Sequence, residues 1–453
     1  MSVNSQAQGV FIVSASCVFP SGPRLTLADS AVRLPMALFR KHPFWVDRCG
    51  HRPTVSCFPA DASPPDTTRD MAENIFGGSR WAELATAALK DLALTLQSPN
   101  AAPSTHTEPT PCALWLVLPD ASTPGVPRDV VTAINAAVNT PELRSRWQVQ
   151  HGTLIRGGHT AGLLALEQAQ AFLQSKTAIE PKLAVVLAVD CPLTPERLDL
   201  LQQQNLLQGA HQRVRGESRG NPYGRIPGEG AAAVALSEIP IDAIAKLTRN
   251  STDQQKSTPK TWSARYLEDA KRTSAVSAEP LYRPWSQLLG VGTAQEEITW
   301  AVTQAQSKPC LGLGLTQAVF NALDQAAQNS HHLIADNKPP QITTITTDMN
   351  GEPYRGDELG FTLLRLAQQS SRPLSPAMPK LHEAWQRRTP VLASGDMGSA
   401  SAIAHTALAA FDLHRQGIAA TSHPATCHLV LSSSDDPLRG AVVLGALPTQ
   451  SFI

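Results

Sequence analysis

The sequence predicts an α/β fold. Short runs rich in Val, Ile, Leu and Ala alternate along the chain with longer segments of helical period. Those runs are continuously apolar rather than alternating, the pattern of strands covered by helices on both faces. The chain has 453 residues, 42% of them hydrophobic and 17% charged, which is long enough for two domains or one large duplicated unit.

In chain order the expected strands are VFIVSA (10–15), ALWLVLP (113–119), LAVVLAVD (183–190), AAAVALS (231–237), LLGVG (288–292), ITTITTD (342–348), HLVLSS (428–433) and AVVLGAL (441–447). Helical period is expected over 80–97, 128–138, 160–174, 314–329, 357–369 and 398–416. Pro- or Ser-rich stretches at 59–70, 98–111 and 370–380 read as loops. The mixed-charge segment 241–285 reads as a polar connection between an N-terminal half (1–240) and a C-terminal half (286–453).

Composition narrows the partners. Lys plus Arg and Asp plus Glu both number 38, a formal net charge of zero. Nucleic acid and anionic membrane surfaces both reward an excess of cations, so neither is expected. The seven cysteines are scattered, with no CxxC pair, so neither a disulfide framework nor a metal site is expected, and nothing calls for a cofactor. The N-terminal stretch MSVNSQAQGV lacks a basic leader region, and GVFIVSASCVF is too short for a membrane span. A reducing cytoplasm is the expected location.

One stretch carries the shape of an active site. In RGGHTAGLLALEQAQAFL (156–173), Gly157 and Gly158 form a turn, His159 follows, and an apolar helix begins at once. Enzymes place nucleophiles at such helix starts, where the macrodipole favours an anion. Gly395-Asp396 opens a helix in the same manner in the second half. Each half ends in a Gly-flanked strand, at GEGAAAVALSE (228–238) and RGAVVLGAL (439–447).

The segment VVLAVDCPLTPERLDLL…IPGEGAAAVALSE resembles the ketosynthases of the thiolase superfamily, and further motifs follow in the family's order. Leu163 to Leu166 falls on the LVAL of the nucleophile region, which places His159 on the catalytic cysteine. TTDMNGEPYRGDELGF (347–361) is similar to the loop of the first catalytic histidine, ending in the shared Gly356-Asp357. LASGDMGSASAIAHTALAAF (392–411) is similar to the second. SSSDDPLRGAVVL (432–444) stands where the family has a glycine-rich loop. The resemblance implies a thiolase-like duplicated αβαβα fold of five layers, in which Gly157, Gly158, Gly228, Glu229, Gly230, Gly356, Asp357 and Gly395 are structural.

It also implies a site without its chemistry. Condensation by a ketosynthase needs a thiolate, two histidines at the enolate oxygen and backbone donors for the thioester. In the implied register these positions hold His159, Met349 and Asp396, and the glycine-rich loop has become Ser434-Asp435-Asp436-Pro437. A carboxylate at Asp396 repels an enolate. The chain is therefore expected not to be an enzyme. A lesser alternative is a hydrolase built on a His159–Asp396 pair, with Thr160 or water as nucleophile. Cys191 reads as a small buried side chain, Asp190 as a cap or turn residue, and Glu229 as support rather than a base.

Two binding roles follow from the resemblance. HPFWVDR (42–48), NGEPYRGDELGF (350–361) and GDMGSASA look similar to degenerate ketosynthase-like proteins associated with type VI secretion. This implies a cytoplasmic accessory or co-adaptor that helps load an effector, together with a second thiolase-like subunit and an adaptor. The alternative is a chain-length-factor type of subunit, the inactive partner of an active ketosynthase. Both imply a homo- or heterodimer, since thiolase-like subunits pair their central sheets across a two-fold axis. Phe44, Trp45 and Trp285 are the candidate interface aromatics, each open to a core role as well.

Overall fold

The computed structural model describes residues 8–58, 77–96, 109–175, 181–214, 217–241, 282–330, 339–371, 377–419 and 425–447. The expected loop 59–70, nearly all of 98–111, residues 372–376 of the loop at 370–380 and most of 241–285 lie outside them.

The first half runs β1 (Gln8–Val18), α1 (Leu25–Arg33), β2 (Arg40–Lys41), β3 (Thr54–Val55), α2 (Gly78–Thr95), β4 (Thr110–Leu118), α3 (Val130–Val138), α4 (Pro141–Arg144) and β5 (Trp147–Arg156). It continues through α5 (Ala161–Gln174), β6 (Leu183–Asp190), α6 (Pro195–Gln203), β7 (His211–Val214), β8 (Glu217–Gly220) and β9 (Gly230–Pro240). The second half comprises β10 (Ser286–Gln295), α7 (Trp300–Gln306), α8 (Leu313–Asn329), β11 (Gln341–Thr346), α9 (Pro353–Ser371) and β12 (Lys380–Arg388). It closes with α10 (Val391–Ser394), a 3₁₀ turn (Gly398–Ala400), α11 (Ser401–Ala419), β13 (Thr426–Ser433) and β14 (Leu438–Gly445).

The two halves build the same sheet twice. Strand order is β5-β4-β6-β9-β1 in one and β12-β11-β13-β14-β10 in the other. In each, the first three strands are parallel and the last two antiparallel. β1 meets β10 through Phe11↔Gln287 and Ile12↔Ser286, which links the halves into one ten-stranded sheet.

Period-two alternation hidden inside the continuous apolar runs sorts the core into layers. From β6, Ala184, Val186 and Ala188 face α5 and α11 in a central helical layer, which Leu288, Val430 and Val442 of the second sheet cover from the other side. Leu183, Val185, Leu187 and Val189 face α2 on the outer side. Leu429, Leu431 and Val443 pack beneath α8 and α9 at the opposite surface. The result is helix, sheet, helices, sheet, helix: five layers, as expected.

Every expected strand and helix is present, within a few residues at its ends. The largest helix shift is α9, which starts at Pro353 rather than 357, since proline lacks only an N–H that the first helical turn leaves unpaired. Gly356-Asp357 therefore lies inside the helix, with Asp357 exposed. The strands that periodicity did not reveal include β5 (WQVQHGTLIR) and β12 (KLHEAWQRR). Both are the outermost strands of their sheets and largely exposed, so no apolar run marks them.

Two of the three candidate interface aromatics are core. Trp45 is buried with Leu198, Leu201, Leu206 and Leu207, and its Nε1–H donates to Asp199 Oδ1 at 2.9 Å. Trp285 is buried in the central layer, stacked on His414 at 4.9 Å and beside Phe411. Their rings were needed to anchor a long loop and a sheet junction. Phe44 is half-buried. His42 fixes this loop: its Nδ1 accepts from the Phe44 and Trp45 amides at 3.2 and 2.8 Å, leaving Nε2–H to donate to Leu193 O at 3.1 Å.

Candidate functional site

His159 sits where the glycine turn ends and α5 begins, 3% exposed. Glycine beside it leaves room for the closing loop. A Cβ on Gly158 would lie 2.9 Å from Ser434 Oγ and 3.0 Å from Asp436 Oδ2. The closing loop uses that space: Ser434 Oγ accepts from the Thr160 amide at 2.9 Å, and Asp436 Oδ2 accepts from the Gly158 amide at 3.3 Å. Two backbone donors at this helix start, the Gly158 and Thr160 amides, are thus taken by the chain's own side chains.

Asp396 arrives from the other half. Gly395 turns the chain at φ +68°, a conformation that suits glycine. The Asp396 backbone is pinned on both sides, its amide to Ile226 O and its carbonyl to the Gly228 amide, each at 2.8 Å. Gly228 is obligatory there, since an added Cβ would lie 2.2 Å from Ser394 O. A Cβ on Gly230 would come within 2.4 Å of Met397 Sδ. Asp190 Oδ2 accepts from the Ser399 amide at 2.8 Å, and Gly398 at φ +50° leaves room for it.

These turns bring His159 and Asp396 together. Their Nε2 and Oδ1 are 2.7 Å apart, and both side chains are buried. Burial pushes the Asp396 pKa up, but the charges of His159 and Arg225 outweigh it and hold the carboxyl well below its usual range. The acceptor is therefore a carboxylate, and Nε2 carries the proton.

The pair is one corner of a larger network that motif reading did not reveal. Asn350 Nδ2 donates to Asp396 Oδ2 at 2.6 Å and to Glu352 Oε2 at 3.0 Å. Arg225 donates from Nε and a terminal nitrogen to Glu352 Oε1 at 2.9 and 2.5 Å, and to both oxygens of Asp435. It also stands 3.6 Å from Asp396 Oδ2. Arg355 joins Glu352 and Asp348, each at 2.8 Å, Asp435 at 3.1 Å, and the Ser433 carbonyl. Burial lowers the proton affinity of Arg225, yet Asp435 and Glu352 raise it far more, so the guanidinium stays charged. The signal in the sequence was charge inside Gly- and Pro-containing motifs: Arg225 in GRIPGE, Glu352 and Arg355 in NGEPYR.

Asn350, not Met349, stands opposite Asp396. Met349 is half-buried, turned toward the outer C-terminal core with its sulfur 3.9 Å from Arg387.

Thr160, one of the two nucleophiles considered, is engaged with the closing strands. Thr160 Oγ1 donates to Ser432 O at 3.2 Å. His159 Nδ1 is buried and has no hydrogen-bond partner. Glu229 is bound on all sides: Arg80 holds both its oxygens, the Phe58 amide donates at 3.0 Å, and Cys191 Sγ donates at 3.0 Å. Burial first, and Glu229 second, push the Cys191 thiol far above its ordinary pKa.

No protein-family profile matches the chain, and no curated protein does. Solved structures do. The ishigamide ketosynthase/chain length factor, 15% identical, superposes with a TM-score of 0.55 over 97% of this chain and 100% of that one. A type II polyketide synthase acyl-carrier protein in complex with its ketosynthase gives 0.59 at 11% identity, over 98% and 100%. The ketosynthase from module 6 of the bacillaene synthase of Bacillus subtilis 168 gives 0.57 at 13%, over 97% and 72%. The chain has the thiolase-like ketosynthase fold. Within this ketosynthase fold, His159 and Asp396 lie at the helix starts of the two halves, α5 and α11, which meet in the central layer. No described helix is long and apolar enough to cross a membrane.

Proposed function

We propose that the chain is a non-condensing subunit of ketosynthase fold that works by binding protein, as the partner of an active ketosynthase. One observation carries this reading: the helix start that would present a nucleophile holds His159, locked to Asp396 inside a buried network of arginines and carboxylates. Nothing in that network supplies a thiolate, and an ionised Asp396 opposes an enolate. Amides that could polarise a thioester are bonded to Ser434 and Asp436.

Two further features support a paired subunit. Neighbours of this fold include a ketosynthase/chain length factor, matched over its whole length. Among the described residues, no strand pairs with the outer side of β5. Residues 148–152 are exposed, as is Leu154, and an unpaired edge is a template for another chain's strand. Such an interface is expected to bury about 1,600 Å².

Intact-mass spectrometry after incubation with acyl-carrier thioesters tests inactivity; the expected result is no covalent adduct, and a stable acyl adduct overturns it. Affinity capture from the native cell tests the partner. An active ketosynthase with its acyl carrier protein is the expected companion. The accessory role in type VI secretion rests on motif likeness and shares the inactive site; recovery of a secretion effector or its adaptor would put it in place of this reading.

A further inference from the structure

Among the described residues, one group of three metal-ligating side chains stands apart from the His159 network: Glu296, Cys310 and Glu358. Glu296 follows β10, Cys310 precedes α8, and Glu358 lies in the first turns of α9. One oxygen of each glutamate and the Cys310 sulfur all lie within 4.8 Å of one another, and all three residues are at most 3% exposed. Spacing rules could not find them, because the three come from separate elements.

The loop between Cys310 and α8 is built to hold this arrangement. Gly312 takes φ +62°, and a Cβ there would lie 2.5 Å from Glu358 O. A Cβ on Gly314 would lie 2.7 Å from Gln295 O. The Gly314 amide donates to Glu296 Oε2 at 2.8 Å, and Thr316 Oγ1 donates to Gly312 O at 2.6 Å. Leu311, the residue after Cys310, is 39% exposed, so the cluster lies just beneath the surface.

Two facts ask for a cation. Arg439 Nε donates to Glu358 Oε1 at 2.5 Å, but Glu358 Oε2 is buried with no hydrogen-bond partner, as is Arg439 Nη2 of the same pair. Two carboxylates against one guanidinium also leave the buried group one charge negative. A divalent cation, with loss of the thiol proton to solvent as the sulfur–metal bond forms, brings the total to zero. A thiolate among carboxylates selects a borderline-soft metal over Mg²⁺ or Ca²⁺.

We propose that Glu296, Cys310 and Glu358 form a binding site for a divalent transition-type cation of the Zn²⁺ class. The reading is independent of the role argued for the His159 network. Burial, followed by Glu358, pushes the metal-free thiol up to about 11, so binding releases a proton at neutral pH.

Co²⁺ is the probe, added to the full chain after chelator treatment. One equivalent is expected to produce a thiolate-to-cobalt charge-transfer band, discharged by Zn²⁺. Cys310→Ser should abolish the band while leaving the metal-free protein folded. Glu358→Gln should weaken binding by more than the roughly 10–100-fold that loss of an outer-shell partner costs. Zn²⁺ should raise the melting temperature of the parent and not of Cys310→Ser. Absence of the band in the parent protein, or its persistence in Cys310→Ser, overturns the proposal.

Discussion

The two buried acidic clusters of this molecule are resolved in opposite ways. Around His159, the carboxylates of Asp348, Glu352 and Asp396 each receive donors from Arg225, Arg355, Asn350 or His159, and the half-buried Asp435 receives both arginines. In the second cluster Arg439 pairs with Glu358 alone, Glu296 receives only backbone amides, and Glu358 Oε2 is left without a donor. The first cluster is therefore compensated by cations of the chain itself. Where the chain supplies one too few, a ligand cation is the physical remedy.

The sharpest way to break that contrast is to take a cation from the closed cluster. Arg225→Met leaves Glu352 and Asp396 buried and under-compensated, and should cost about 3–5 kcal/mol in urea denaturation. Cys310→Ser in metal-free protein should cost less than about 1.5 kcal/mol, because a neutral group replaces a neutral thiol of similar size. Equal losses would mean that the two clusters are held in the same way.

Next in size is a steric wedge in the backbone that presents Asp396. Gly228→Ala puts a methyl 2.2 Å from Ser394 O, where only backbone movement can make room. A loss of roughly 1–3 kcal/mol is expected, together with a shift of the His159 ring signals in NMR as Asp396 moves.

Acid should then distinguish groups buried with charge from groups buried without it. Burial lowers the pKa of His405 and of His428 to about 4, against an ordinary 6.5. The unfolded chain binds these protons first, so stability is full above about pH 6.5 and falls toward pH 4, by an amount on the order of 3 kcal/mol for each. His405→Gln should reduce the proton uptake on unfolding in that window by about one, measured from ΔG against pH. Asp396 has the opposite origin: its depressed pKa contributes stability above the unfolded value of about 3.9, lost only as pH falls through the folded value.

The smallest effect on stability is expected at the open sheet edge. Val149→Lys on exposed β5 should change ΔG by within about 0.5 kcal/mol, yet abolish association with a captured partner in size-exclusion chromatography. Unchanged association would move the interface off this edge.

Most of the fold was legible as sequence because interior strands and helices must be apolar. β6 reads as LAVVLAVD, and its bounds match at both ends. The edge strands β5 and β12 were not legible, since exposed strands carry no such constraint. At the site, the glycines and His159 could be read because turn and helix start are local features. Asn350 could not, because its position depends on how tightly residues 347–352 turn before Pro353.

The sequence by itself determined an α/β chain with a histidine after a glycine turn at a helix start. Only the tertiary structure decided what that histidine does. Residues at 159, 225, 350, 352, 355, 396 and 435 share one network because the two halves of the ten-stranded sheet bring their turns to a common centre. Hydrophobic pattern is a property of neighbours along the chain, whereas charge compensation in a core is a property of neighbours in space.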